Sequence, residues 1–171
     1  AATTGVRWQR VRPGDSLRVD DATVTFLAPD SAWTTSLSDP NEASTVVLIR
    51  VGAVRFLLTG DAERGEEAWL VDRAGDNLRA DVLKVAHHGR ATSTTPEFLA
   101  AVRPRVAVIS VGAANVYGHP DPVTVRALAA AGAQVLRTDR LGSIVLRTNG
   151  RHLVVEAAGE TWEVNAPSSP N

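Results

Sequence analysis

Cysteine is absent from this chain of 171 residues. That excludes disulfides and thiolate nucleophiles, and it limits any zinc ligands to His, Asp and Glu. Lysine is almost absent: Lys84 is the single one, and every other basic residue is arginine. Arginine gives bidentate phosphate contacts, but a GC-rich genome accounts for the bias equally well. No apolar run reaches the roughly eighteen residues that a membrane helix needs, because Arg50 and Arg55 interrupt the longest candidate. No basic-then-apolar leader opens the sequence, so no secretion signal is predicted and any membrane anchor is expected outside this segment. Neither sign of charge is in excess: a formal net charge of −1 leaves no global positive field to gather nucleic acid.

Hydrophobic residues make up 44% and charged ones 22%, ordinary values for a globular chain that buries about 70% of its unfolded surface. One domain is predicted over residues 1–164, followed by a disordered or linker tail at 165–171, rich in Pro and Ser. Short strands are predicted at 6–11, 16–19 and 22–28, separated by the turn signals Pro13-Gly14-Asp15 and Asp20-Asp21. A polar loop at 29–43 carries Trp33. Residues 45–51 and 53–58 flank Gly52 as a hairpin with Val46, Leu48, Phe56 and Leu58 as core candidates. Their nearly continuous apolar character predicts a sheet covered on both faces. An amphipathic helix is predicted at 62–74, with Trp69 and Leu70 inward and Glu63, Glu66 and Glu67 on a solvated face. A helix at 96–102 uses Thr95 as cap and Pro96 as its first residue. Another at 121–131 repeats the device with Asp121 and Pro122, buries Val123, Ala127, Leu128 and Ala131, and stops at Gly132. Strands at 134–137, 143–147 and 152–157 complete an alternating α/β pattern.

The chemistry concentrates at strand ends. His87 and His88 close an apolar run and precede Gly89. Neighbouring strand residues point to opposite faces, so a turn beginning at Gly89 is expected to redirect the second imidazole. Neutral imidazole ligates zinc, manganese or iron and titrates near neutral pH. Asp61 follows Thr59-Gly60 at the end of a strand, where it is also placed to cap the helix from Ala62. His119 lies in the Tyr117-Gly118-His119-Pro120 loop beyond the apolar strand that starts at Arg105. In open α/β sheets, ligands and catalytic groups gather beyond the carboxyl ends of strands. A carboxylate with imidazoles suits zinc or manganese better than calcium. His152 stands apart from this set and is expected to be structural.

Three of these segments carry a resemblance: Leu58-Thr59-Gly60-Asp61, the stretch from Ala80 through His87-His88-Gly89, and Tyr117-Gly118-His119-Pro120. They look like the second half of the metallo-β-lactamase-like domain of the ComEC competence family, bacterial channels that import transforming DNA. Pro96-Glu97-Phe98-Leu99 and the segments 106–112, 135–139 and 142–145 extend the likeness over roughly residues 14–155. The resemblance implies an α/β fold, part of an αββα sandwich whose mixed sheet carries helices on its outer face. It implies a soluble domain of a membrane protein on the extracytoplasmic side. The implied activity is a metal-dependent phosphodiesterase or nuclease acting on the DNA strand that is not imported. Its implied cofactor is a divalent metal, manganese or zinc, with two ions in the complete domain. It assigns Asp61 and one of His87 and His88 to metal, and His119 to catalysis and substrate. Arg90, where the family often has serine, becomes a possible phosphate contact. The implied partners are single-stranded DNA, the membrane channel of the same parent protein and, through an exposed sheet face, a second copy of the chain.

One departure weighs on this. The His-x-His-x-Asp-His motif that supplies the first ligands in that superfamily does not occur among His87, His88, His119 and His152. A two-ion site needs roughly seven or eight protein and water ligands to hold its ions about 3.5–4 Å apart. Asp61 with two or three imidazoles holds one ion at best. The chain alone is therefore expected to bind metal weakly and to be inactive, with the complementary strands preceding Ala1. The inner face of the sheet is then expected to expose apolar surface or to be covered by another copy. Two further readings stay open: a non-catalytic module that contacts DNA or packs on the channel, and another hydrolase of the same superfamily, acting on esters or lactones.

Overall fold

Turn chemistry starts the sheet. In the computed structural model, which describes residues 9–35 and 43–164, β1 (Ser16–Val19) and β2 (Ala22–Ala28) form an antiparallel hairpin through Asp20 at φ 50°. A short helix, α1 (Ser31–Thr34), follows. β3 (Val46–Val51) pairs antiparallel with β2 and turns at Gly52 into β4 (Val54–Leu58). Gly52 is required there: at φ 57°, a β-carbon would lie 2.6 Å from the Gly150 carbonyl oxygen.

Beyond β4 the sheet becomes parallel. β5 (Val82–Lys84), β6 (Val106–Ile109) and β7 (Gln134–Arg137) add in sequence order, giving seven strands in the order β1 to β7. The three crossovers run through α2 (Arg64–Ala74), α3 (Pro96–Val102) and α4 (Pro122–Ala130). These helices cover one face, where Leu57, Leu83 and Ala107 of the sheet meet Leu70, Phe98 and Leu128. After α5 (Thr138–Leu141), a second antiparallel sheet forms from β8 (Ile144–Thr148), β9 (Leu153–Ala157) and β10 (Glu160–Val164). Its Leu153 and Val155 close over Val54, Val82 and Val106 on the other face of the main sheet. The result is an α/β stack of helices, mixed sheet and small sheet.

Several expectations are corrected. The inner face is not left to another copy, because the chain's own β8–β10 packs there over β4–β7; Leu17 and Val19 on β1 stay 44% and 58% exposed. The first glutamates of α2 are not solvated: Glu66 and Glu67 are fully buried and Glu63 is 9% exposed. Buried carboxylates persist only with donors aimed at them, and long-range loops supply these. The helix starts at Arg64 with Glu63 in the cap position, so Asp61 does not cap it. Leu57, rather than Leu58, is the fully buried residue at the end of β4, because it shares the helix-side face with its partner Leu48. In α4, Thr124 and Leu128 are buried, whereas Val123 is 47% exposed and Ala131 lies at the surface. The caps hold as expected: Thr95 Oγ1 accepts from the Phe98 amide at 3.3 Å, and Asp121 Oδ1 from the Val123 amide at 2.8 Å. α1, α5 and β10 were not expected. Of the strand expected at 6–11, residues 9–11 are irregular; 6–8 and the tail at 165–171 lie outside the described residues. Among the described residues no helix is long and apolar enough to cross a membrane.

Candidate functional site

The two adjacent histidines meet at one cavity because the backbone stops being a strand before it reaches them. β5 ends at Lys84, and the turn at Ala86–Gly89 holds His87 (φ 46°, ψ 44°) and His88 (φ 56°, ψ 20°) in left-handed conformations. The turn thus begins at Ala86, not at Gly89 as the sequence suggested. Non-glycine residues in this region cost on the order of 1 kcal/mol or more each, so surrounding contacts must hold them. The His87 amide donates to the Gly60 carbonyl at 3.2 Å, and the Asp121 amide to the Gly89 carbonyl at 2.9 Å. Gly89 itself, at φ 83°, packs so closely that a β-carbon would sit 2.6 Å from Pro120 Cβ. The His-His-Gly turn and the Gly-His-Pro loop are therefore one packed unit.

That unit encloses a cavity of about 550 Å³ lined by His87, His88, Arg90, Tyr117 and His119. The ring of His87 lies 6.4 Å from that of His88 and 6.1 Å from that of His119, centre to centre. Tyr117 stacks within 19° of parallel on His119 at 6.1 Å. His87 Nδ1 is 2.6 Å from Glu63 Oε1, and His88 Nδ1 is 2.7 Å from the Ser110 carbonyl oxygen. A carbonyl only accepts, so His88 carries its proton on Nδ1; a carboxylate partner fixes His87 the same way. Both rings therefore keep Nε2 free, the arrangement by which proteins aim an imidazole at a metal or substrate. Asn115 clamps the third histidine, donating to its carbonyl at 2.8 Å and accepting from its amide at 2.9 Å. Burial holds the pKa of His119 below the usual imidazole value, reinforced by His87, Arg90 and His88 and opposed by Asp121.

The carboxylates at the start of α2 brace this region from beneath. Glu63 engages His87 and lies 3.9 Å from Arg90 Nη1. Glu66 Oε2 accepts from the Ser44 amide at 3.1 Å, and Ser44 Oγ in turn accepts from the Asp61 amide at 3.0 Å. Glu67 accepts from the Thr94 and Thr95 amides at 2.5 and 2.8 Å, which pins the loop leaving Arg90. Burial raises the Glu67 pKa even though both hydrogen bonds favour its charged form.

Of the residues singled out from sequence, the structure brings His87, His88, Arg90 and His119 together. Asp61 is half-buried next to Gly60 but is not part of the cavity lining; its charge acts on Lys84, whose pKa burial pulls down and Asp61 partly restores. His152 pairs at 2.5 Å with Glu163 on the exposed surface of the second sheet, away from the set. Sequence reasoning gave no role to Glu63, Asn115 or Tyr117, although each stands within four residues of a residue it did select. The donors fit a divalent ion in kind, being imidazole Nε2 atoms. They do not fit in number: among the described residues no three of His, Cys, Asp and Glu are grouped to hold an ion.

Comparison with known proteins gives a consistent picture. Residues 10–113 match the Metallo-beta-lactamase superfamily. The chain is 36% identical over 151 residues to "ComE operon protein 3" of Bacillus subtilis (strain 168), covering 88% of the chain and 19% of that protein. It is 34% identical over 140 residues to "Competence protein ComA" of Neisseria gonorrhoeae, covering 82% of the chain and 18% of that protein. The chain thus spans about a fifth of the length of these relatives. Among solved structures, CmlA, a diiron beta-hydroxylase from Streptomyces venezuelae, superposes with a TM-score of 0.51 at 16% identity, covering 75% of this chain and 33% of that one. At that identity the likeness speaks to fold alone.

Proposed function

This chain belongs to the metallo-beta-lactamase superfamily, with ComEC-type competence proteins as relatives, and from that premise we propose that it is the phosphodiester-cleaving module of a DNA-uptake protein. The substrate in this reading is the single strand that is not imported. The module is a single domain over residues 1–164, held on the extracytoplasmic side by the membrane channel of the same parent. The observation that carries the reading is the cavity in which three imidazoles and Arg90 converge beyond the strand ends. Arg90, its guanidinium half exposed, is placed to take a non-bridging phosphate oxygen. His87 and His88 present lone pairs at Nε2. His119, whose pKa burial lowers, orients phosphate or, when protonated, donates its proton to the leaving oxygen.

The donor shortfall favours a second reading for the chain in isolation, a DNA-contacting module without catalysis. Two proteins separate the cases: this chain, and a longer form in which preceding residues supply His-x-His-x-Asp-His. The longer form is expected to load about two manganese or zinc ions, measured by mass spectrometry, and to cleave single-stranded DNA. Asp61→Ala is expected to abolish both in it, while this chain loads little metal and cleaves poorly. Two-ion loading of this chain would overturn the shortfall argument. Cleavage by the longer form that survives Asp61→Ala would remove Asp61 from the site, and no cleavage at all would leave the non-catalytic reading.

A further inference from the structure

A second cavity is larger than the histidine pocket. A groove of about 750 Å³ lies at the other end of the parallel strands, near the β3–β4 turn, and is lined by Arg50, Arg55, Trp69, Arg73, Thr23 and Asn77 among others. Arg50 and Arg55 are direct cross-strand partners, and Thr23 faces Arg50 from β2. Both arginines share the helix-side face with Leu48 and Leu57, so they point beneath the second half of α2. From α2, Arg73 lays its guanidinium 5.5 Å over the Trp69 ring.

Like charges directly opposite each other on a sheet destabilise it. Among the described residues neither Arg50 nor Arg73 has an ion-pair partner. Arg55 is anchored by the Asn77 carbonyl, and its Nε is buried with no hydrogen-bond acceptor among the described residues. Its pKa is lowered by burial first and also by Arg50 and Arg79, while Asp81 opposes that. Asp30 is the one carboxylate among the described lining residues, and its Oδ1 already accepts from the Ala32 amide at 2.8 Å. A groove in which several cations converge with so little opposing charge is built to receive an anion.

We propose that this groove is a second nucleic-acid contact, a track for single-stranded DNA. Phosphates bind Arg50 and Arg73, and a base packs against the Trp69–Arg73 pair. Aromatic rings interleaved with guanidinium groups in an open cleft suit a strand of stacked bases and phosphates better than a compact free anion. The anion site stands on these residues alone; the identity of the polymer rests on the function proposed above. Two contacts at opposite ends of the sheet let one strand be gripped away from the place where it is cut.

The test uses this chain, EDTA to remove metal, and a fluorescein-labelled oligothymidylate of about 12 nucleotides. Affinity is read by anisotropy at several salt concentrations. The double variant Arg50→Glu/Arg73→Glu is expected to bind at least about tenfold more weakly, with the slope of log affinity against log salt shallower by about 1.4, two phosphate contacts' worth. His88→Ala/His119→Ala, which removes contacts at the other end of the strand, is expected to weaken binding independently, so that the losses of the two double variants add. Because Arg50→Glu sets opposite charges across from Arg55, the double variant should melt no lower than the parent, so weak binding cannot be put down to unfolding. Binding by the double variant equal to the parent overturns the groove. If affinity then falls only in the histidine variant, DNA contact belongs to the histidine cavity and the proposed function stands. If no protein binds the oligonucleotide, the groove is likewise overturned, and cleavage by the longer form decides the function separately.

Discussion

At the carboxyl ends of β4 and β5 the backbone passes through left-handed conformations at Gly60, His87, His88 and Gly89, and the carboxylates that hold it there are buried. At the amino ends of the same strands the left-handed turn into β4 is made by a glycine, Gly52, which adopts it without strain, and the acid that organises this end, Asp81, is only partly buried. Asp81 accepts from the Arg55 amide at 2.9 Å and pairs with Arg105 at 3.2 Å. One end has strain held from beneath by glutamates; the other has charge arranged at the surface. Strained backbone persists only where its surroundings over-determine it, and such over-determination is the usual mark of a working site. The contrast is why chemistry is proposed for the histidine end and an electrostatic contact for the arginine end.

The largest expected effect tests whether the buried carboxylates support the histidine end. Glu67→Ala leaves the Thr94 and Thr95 amides without their acceptors, and both are taken from water. Each stranded donor costs about 1–3 kcal/mol, so a loss of about 3–5 kcal/mol is expected in denaturant unfolding. Asp81→Ala at the opposite end is expected to cost only about 1–2 kcal/mol, because water replaces what the carboxylate gave. Equal losses at the two sites would break the comparison.

A middle-sized effect separates strain from contact. Gly89→Ala meets both a positive φ and Pro120 Cβ at 2.6 Å, whereas Gly75→Ala meets a positive φ of 48° with nothing within 4 Å. The first is expected to cost about 2–4 kcal/mol and the second about 1 kcal/mol. Thermal unfolding of the two variants provides the difference. A Gly89→Ala protein as stable as Gly75→Ala would mean that the His-His-Gly turn and the Gly-His-Pro loop are not one packed unit.

What could be read from the sequence divides along the same line. Local signals succeeded where local physics decides: Thr95-Pro96 and Asp121-Pro122 started helices, and Gly52 turned a hairpin. The convergence of His87, His88, Arg90 and His119 was also legible, because strand ends in a parallel sheet lie side by side. What failed was non-local. Glu63, Glu66 and Glu67 have the helical spacing of a solvated face, and only loops 22 to 28 residues away in sequence make them internal. The double left-handed turn at His87-His88 has no signal in residues that rarely adopt it. Asp61, which family likeness assigns to metal, lies outside the cavity lining, with its amide tied to Ser44 and its charge acting on Lys84.

The smallest effect concerns charge within the histidine cavity. His119 titrates below the ordinary imidazole value because of burial, and then because of His87, Arg90 and His88. Its unfolded form therefore binds a proton at a higher pH than its folded form. The resulting contribution to stability is present above the unfolded value and is lost as pH falls through the lowered folded one. Arg90→Gln removes one of the positive neighbours without touching the backbone that Thr124 and the turn engage. The His119 midpoint, followed by proton NMR of its ring, is expected to move up toward the ordinary value, and the acid limb of the stability profile should shift with it. A midpoint for His119 that stays where it was, or falls, would mean that Arg90 is turned to solvent and does not share the cavity's field, and the phosphate contact assigned to it would go with it.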